Sequence, residues 1–310
     1  MKIGLQVPWF NWPGSPENTG PILGKMARAA DDGGLSTLWA MDHFYQVRQG
    51  FGPAGDPMLE GYTTLAYLAA LTRRVRLGLM VTSSFYRYPG VLVKTVTTLD
   101  VLTGGRAILG IGAGWDRLES AAMGVPFPPS LNERMGRFEE TLKIVKHMWS
   151  GDTRTFEGEY HRLEEPLLSP MPLSKPHPPI LIGGEGEKKT LKYVALYGDA
   201  CNLHIGTPLE EFSARWRDRY ENRVEVLTGK LDVLRRHCEN VGRDYGEIEK
   251  TTLGTIKIAP DAMSAGELVE LCEGLAEIGI DQAIFNMPNA HEITPIETIG
   301  KEVIPVVANM

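Results

Sequence analysis

The sequence predicts a single domain, residues 1–310, folded as an eight-fold β/α barrel. Three observations carry this expectation. Eight short apolar runs alternate with eight longer helical patterns along the chain. The runs are rich in aliphatic and β-branched residues without polar alternation, as strands buried on both faces are. A length of 310 residues is ordinary for one such barrel and long for most other single domains. A doubly wound open sheet is the architecture that the same alternation would also allow.

In chain order, the predicted strands are 2–7, 37–41, 75–82, 107–112, 179–183, 199–203, 251–258 and 282–287. Helical segments fall between them. In 22–32, Leu23, Met26, Ala27 and Ala30 recur at helical spacing and form one apolar stripe. The same logic gives helices at 62–72, 91–102, 132–149, 188–196, 209–240, 265–278 and 295–308, with 209–240 read as one long or two shorter helices. Gly33-Gly34, Gly104-Gly105, Gly151 and Gly279 stand where helices should stop.

One segment interrupts the rhythm. Residues 150–178 read as an insertion before the fifth strand. Residues 153–156 and 160–163 flank Glu157-Gly158-Glu159 as a short hairpin, and six prolines between Pro166 and Pro179 exclude helix and central strand. This insertion is expected to cross the face of the barrel that carries the chemistry. The Gly- and Pro-rich loop 45–60 is a candidate lid.

Composition removes several function classes. The net charge is −7, so the basic footprint of a nucleic-acid binder is absent. No run approaches the roughly 18 apolar residues of a membrane span. The three cysteines include no CxxC pair, the seven histidines are dispersed without a His-x-His, and no metal is expected. The opening MKIGLQVPW reads as a strand rather than a signal peptide. The expectation is a cytoplasmic protein acting on a small molecule, with neither nucleic acid nor membrane as partner.

Chemistry on this fold sits at the C-terminal ends of the strands. There the sequence offers aromatics (Trp9, Phe10, Trp12), the pair Asp42-His43, Thr82 with Ser83 and Ser84, Gly112-Ala113-Gly114-Trp115, Gly183-Gly184-Glu185-Gly186, His204 and Asn286. This mixture suits a large planar ligand that also carries a phosphate. His43 can act as acid, base or donor to a ring nitrogen. Glycines between a strand and a helix let backbone N–H groups approach an anion, and Lys188 and Lys189, placed in the first helical turn, gain a reason if a phosphate lies there. The strand-four glycines lack the third glycine of a dinucleotide fingerprint. They read instead as room for a planar ring close to the strand end.

These residues resemble the luciferase-like monooxygenase superfamily and, within it, the coenzyme F420-dependent oxidoreductases. The matching stretches run from Trp39-Ala40-Met41-Asp42-His43-Phe44 through Leu77-Gly78-Leu79-Met80-Val81-Thr82 and Tyr86-Arg87-Tyr88-Pro89. They continue with Leu109-Gly110-Ile111-Gly112-Ala113-Gly114-Trp115, Glu119 and Pro179-Ile180-Leu181-Ile182-Gly183-Gly184. The resemblance implies a cofactor ring across the ends of strands three and four, with Met80, Val81 and Thr82 against it and a non-prolyl cis peptide at or beside Met80–Val81. It implies Asp42 and His43 beside the ring as the catalytic pair, Gly112, Ala113, Gly114 and Trp115 as further cofactor contacts, and a phosphate on Gly183, Gly184, Glu185 and Gly186. It also implies a homodimer. The activity implied is hydride transfer between F420 and a small organic substrate; an FMN-dependent monooxygenase using dioxygen, or a non-catalytic flavin-binding barrel, are the other readings. In the family's sugar-phosphate dehydrogenase branch a Glu follows the strand-four Gly-x-Gly. Here that position is Trp115, which speaks against glucose-6-phosphate as substrate.

Overall fold

The computed structural model describes residues 1–48 and 50–310; Gln49, inside the loop read as a lid, lies outside the described residues. The barrel strands are β1 (Lys2–Val7), β2 (Thr37–Ala40), β3 (Arg76–Leu79, resuming at Thr82–Ser83), β4 (Ala107–Gly112), β5 (Ile180–Gly183), β6 (Ala200–Gly206), β7 (Glu249–Thr255) and β8 (Gln282–Asn286). Every neighbouring pair is parallel, β1 lies between β2 and β8, and β3 pairs with β4. The sheet is therefore closed, which rules out the open doubly wound alternative.

The predicted third strand is broken. Gly78 pairs with Ile108 and Thr82 with Ile111, so three residues of β3 face two of β4. This one-residue bulge is Leu79-Met80-Val81, and the Met80–Val81 peptide is cis. It sits at the C-terminal end of the strand, where a backbone irregularity re-aims side chains toward the mouth.

Two apolar layers hold the barrel. Trp39, Met80, Ile108, Leu181, Leu253 and Ile284 fill its interior. Trp39 is fully buried and needs neighbours without side chains: a Cβ on Gly78 would stand 2.5 Å from its ring, and one on Gly110 would stand 1.9 Å from the Leu79 carbonyl oxygen. A larger core packs the outer strand faces against the helices.

Several helices differ from expectation for local reasons. A six-residue helix, Arg117–Ala122, follows β4; it is too short to show an apolar period. The stretch 209–240 contains two helices, Ala214–Glu221 and Arg223–Val241, separated at Asn222. The last helix is split by a π-turn at Ile299–Val303, just before Pro305, whose ring has no N–H to continue the ladder. Lys188 and Lys189 do not lie in a first helical turn, because the helix is Thr190–Tyr197.

The insertion does not cross the mouth. Its hairpin, Phe156–Glu157 with Arg162–Leu163, is tied to Glu140 of the helix Leu131–Trp149 through the N–H groups of Glu159 and Tyr160 and the ring of His161. The following Pro-rich segment runs along the helix Pro89–Thr103, where Asp100 accepts from the N–H groups of Leu173 and Ser174. Two buried carboxylates thus hold 150–178 against the outer flank. Among the described residues, no helix is long and apolar enough to cross a membrane, and no group of three or more His, Cys, Asp or Glu is placed to hold a metal.

Candidate active site

Asp42 and His43 leave the end of β2 together but serve different partners. The buried Asp42 carboxylate takes both terminal nitrogens of Arg87, at 2.7 and 2.9 Å, with Thr82 Oγ1 at 2.7 Å and the Ser83 N–H at 3.3 Å. Arg87 also donates to Glu60 at 2.5 Å. Burial pushes the Asp42 carboxyl up, against the pull of Arg87, while its carboxylate partners hold the Arg87 guanidinium charged more firmly than usual. Asp42 is thus saturated, and it pins the resumed piece of β3 beside β2. Thr82 is spent in the same network.

His43 is held by Glu119. Its Nδ1 lies 2.8 Å from Glu119 Oε2, and Glu119 is fully buried. The same oxygen accepts from the Tyr86 hydroxyl at 2.6 Å, and Oε1 accepts from the Phe44 N–H at 2.5 Å. Burial would raise the Glu119 pKa, but hydrogen bonds and charge from His43, then Tyr86 and Phe44, outweigh it and hold the carboxyl below its ordinary value. A charged acceptor on Nδ1 fixes a proton there and leaves Nε2 as the acceptor of the neutral ring. Glu119 reaches this place because Asp116 caps its short helix, accepting from the Glu119 N–H at 2.9 Å. Trp115 is half exposed and stands edge-on to His43, ring centroids 5.7 Å apart.

The strand-end glycines serve the bulge. A Cβ on Gly112 or Gly183 would meet the Val81 side chain at 2.9 or 2.8 Å. On Gly114, with φ +68°, it would strike Ser83 Oγ and Phe85. They leave room for the protein's own Val81, Ser83 and Phe85 side chains. Ala113 is half-buried between them. At the end of β5, Gly184 adopts φ +123°, and the N–H groups of Glu185, Gly186 and Glu187 meet no acceptor among the described residues. The Glu185 side chain is committed to Arg219 at 2.6 Å and to the His204 N–H at 2.8 Å, so it offers the turn's backbone rather than its charge. Burial pushes the His204 pKa down, which favours the neutral ring. Lys189 reaches sideways to Asn132 Oδ1 at 2.8 Å.

The floor of the mouth carries unpaired acceptors and donors. Ser83 Oγ, Ser84 Oγ and Asn286 Oδ1 are buried without hydrogen-bond partners. Gln6 links Asn286 to the bulge, donating to the Met80 carbonyl at 2.9 Å and accepting from Asn286 Nδ2 at 3.0 Å. The loop after β2 is anchored above: Trp9 Nε1 donates to the Phe51 carbonyl at 2.8 Å, and the Phe51 ring meets Phe212 from the loop after β6. A cleft of about 810 Å³ at the opposite end, around Ser36, Glu249 and Asp281, lies where this architecture keeps stability rather than chemistry.

The family model described as luciferase-like monooxygenase matches residues 1–278. The chain belongs to this family. Luciferase-like proteins are flavin- and F420-dependent oxidoreductases. One relative, named F420-dependent glucose-6-phosphate dehydrogenase, from Kineococcus radiotolerans, is 34% identical over 74% of this chain and 61% of its own length, so the chain spans less than two thirds of it. A protein of the same name from Amycolatopsis mediterranei is 29% identical over 91% of this chain and 83% of its own. A solved F420-dependent secondary alcohol dehydrogenase in complex with an F420-acetone adduct shares the fold, with a TM-score of 0.79 and 19% identity over 99% of this chain and 98% of that one.

Glu119 and Arg87 stand in the sequence only inside the family-like motifs, and nothing local to either reveals its partner. His43 and Glu119 are 76 residues apart, so spacing could not join them. The available signal was Asp116 three residues before Glu119, a cap followed by an acid that the helix turns inward.

Proposed function

We propose that this luciferase-like chain is an F420-dependent oxidoreductase that moves a hydride between the deazaflavin and a small organic substrate. The carrying observation is the buried Glu119 carboxylate on His43 Nδ1, at the end of β2, which makes Nε2 the ring's proton acceptor. The names of the relatives support F420 over FMN. The residues present fit such a group: unpaired Ser83, Ser84 and Asn286 atoms on the floor, and unpaired N–H groups at 185–187 for a phosphate.

When bound, the deazaflavin supplies a carbon centre that accepts or returns a hydride. The protein's own part is proton handling and placement. For a substrate alcohol, His43 Nε2 takes the hydroxyl proton as the carbon–hydrogen bond breaks; in the reverse direction the same nitrogen returns it. Glu119 stabilises the imidazolium that forms, as a buried carboxylate does for a paired histidine. Trp9, Phe44 and Trp115 wall the entrance with apolar surface, and no carboxylate stands at position 115. We therefore propose a substrate that is apolar or aromatic rather than a sugar phosphate.

We extend the proposal to a homodimer. The helices Gly61–Leu71 and Pro89–Thr103 are neighbours with almost no charge, and they expose Tyr67, Val91 and Leu102. The molar mass in solution checks this.

The function is tested by anaerobic turnover of a panel of alcohols and ketones with oxidised or reduced F420. Substrate-dependent bleaching or recovery of the cofactor colour, lost in His43→Ala while cofactor binding persists, is the expected result. Substrate-dependent oxygen uptake with reduced FMN, and none of this with F420, would overturn it.

A further inference from the structure

Two arginines beside the mouth have no carboxylate to answer them. Arg117 opens the short helix after β4, and Arg134 lies in the first turn of the helix Leu131–Trp149. Their guanidiniums stack on one ring, that of Phe127, at 4.7 and 5.5 Å from its centroid. Among the described residues neither enters an ion pair, and Arg134 Nε is buried with no hydrogen-bond partner. The acids next to them in sequence are already engaged: Glu133 with Arg137 at 2.8 Å, and Asp116 with the Glu119 N–H.

The Phe127 ring answers part of this charge, and among the described residues no acid answers the rest. Arg134 loses hydration on burial and feels Arg117 as a like charge, and both effects lower its pKa. It also sits in a first helical turn, where the macrodipole disfavours cations. An anion at this place would offset all three. The location adds a second observation: Asn132, two residues before Arg134, accepts from Lys189, three residues past the turn 183–186. That contact ties the helix start carrying Arg134 to the chain that leaves the turn where the proposed function puts the phosphate.

We infer that Arg117 and Arg134 form a subsite for the carboxylates of the F420 oligoglutamate tail, beyond the phosphate turn. FMN ends at its phosphate and leaves this pair unmet, so the subsite would discriminate between the two cofactors. The inference rests on the F420 reading.

Three ligands separate the two claims: the bare deazaflavin chromophore, F420 without glutamates, and F420 with several glutamates. Each is titrated by fluorescence against wild type, the double variant Arg117→Gln/Arg134→Gln, and the charge-keeping Arg117→Lys/Arg134→Lys. In wild type at low salt the tail tightens binding by about five- to tenfold, the factor that two solvent-accessible ion pairs supply, and high salt erodes the gain. The Gln variant loses the gain but binds tailless F420 as wild type does, which also shows that it is folded. The Lys variant keeps part of it. Tailless and tailed F420 binding wild type equally, or a gain intact in the Gln variant, overturns the subsite alone. Failure of every deazaflavin to bind overturns the cofactor reading and the subsite with it.

Discussion

Replacing Glu119 with Gln removes one charge at almost constant volume, and the structure gives the size of the effect. Four groups surround the carboxylate: the His43 ring at 2.8 Å and the Tyr86 hydroxyl at 2.6 Å on Oε2, and the N–H groups of Phe44 at 2.5 Å and Tyr45 at 3.4 Å on Oε1. A carboxylate accepts at both atoms; an amide accepts at one. With its oxygen kept on the Phe44 N–H, its NH2 faces His43, which must bare Nδ1 and carry its proton on Nε2. Turned over, the NH2 meets the Phe44 N–H, donor against donor in a buried site. The Tyr86 hydroxyl can rotate to accept, so the net loss is one or two charge-assisted hydrogen bonds, about 2–4 kcal/mol. Urea denaturation measures that loss, and nitrogen-15 NMR of labelled histidine reports the move of the proton from Nδ1 to Nε2. With an identified substrate, turnover falls by about 10²–10⁴, the scale of a missing general base. A variant within about 0.5 kcal/mol of wild type, its His43 proton still on Nδ1, would refute the role given to Glu119, since that is the scale of an ordinary surface change.

Gly110→Ala places a Cβ 1.9 Å from the Leu79 carbonyl oxygen and is expected to destabilise by more than about 3 kcal/mol. Gly274→Ala, in open space on the helix Ala265–Glu277, is expected to stabilise by about 0.5–1 kcal/mol; thermal melts check both. Arg87→Met strands the buried Asp42 carboxylate and should cost about 3–5 kcal/mol, whereas Lys2→Met, at the exposed pair with Glu249, should cost less than about 1 kcal/mol in the same denaturation assay. The Glu119 pKa is lower folded than its ordinary 4.5, so its contribution is full above pH 4.5 and is lost as pH falls through the folded value. A denaturation series across acid pH should therefore show wild type losing stability more steeply than Glu119→Gln below that point.

The barrel was legible because most of its strands are short aliphatic or β-branched runs set between longer helical patterns. Two of them, Lys2–Val7 and Ala107–Gly112, have the predicted bounds, since both end at sharp changes of composition. The irregular pieces were not legible. A bulge in β3 leaves the apolar run unbroken, and a six-residue helix after β4 is shorter than two periods. The path of 150–178 depended on Glu140 and Asp100, whose burial is a tertiary fact. In the site, His43 and the glycine turns stand out by type and position on the fold. Their reasons did not: Gly112 and Gly183 make way for Val81, and Asp42 serves Arg87 rather than His43. The Met80–Val81 position came through family resemblance and not from any property of the two residues.

The central claim is that the mouth is built for a deazaflavin that exchanges hydride beside His43. Parallel fluorescence titration of the purified protein with F420 and with FMN tests it most directly. The account requires F420 to bind at micromolar concentration or tighter and FMN much more weakly. Tight FMN binding with no response to F420 would contradict it and place the protein among the oxygen-using members of its family.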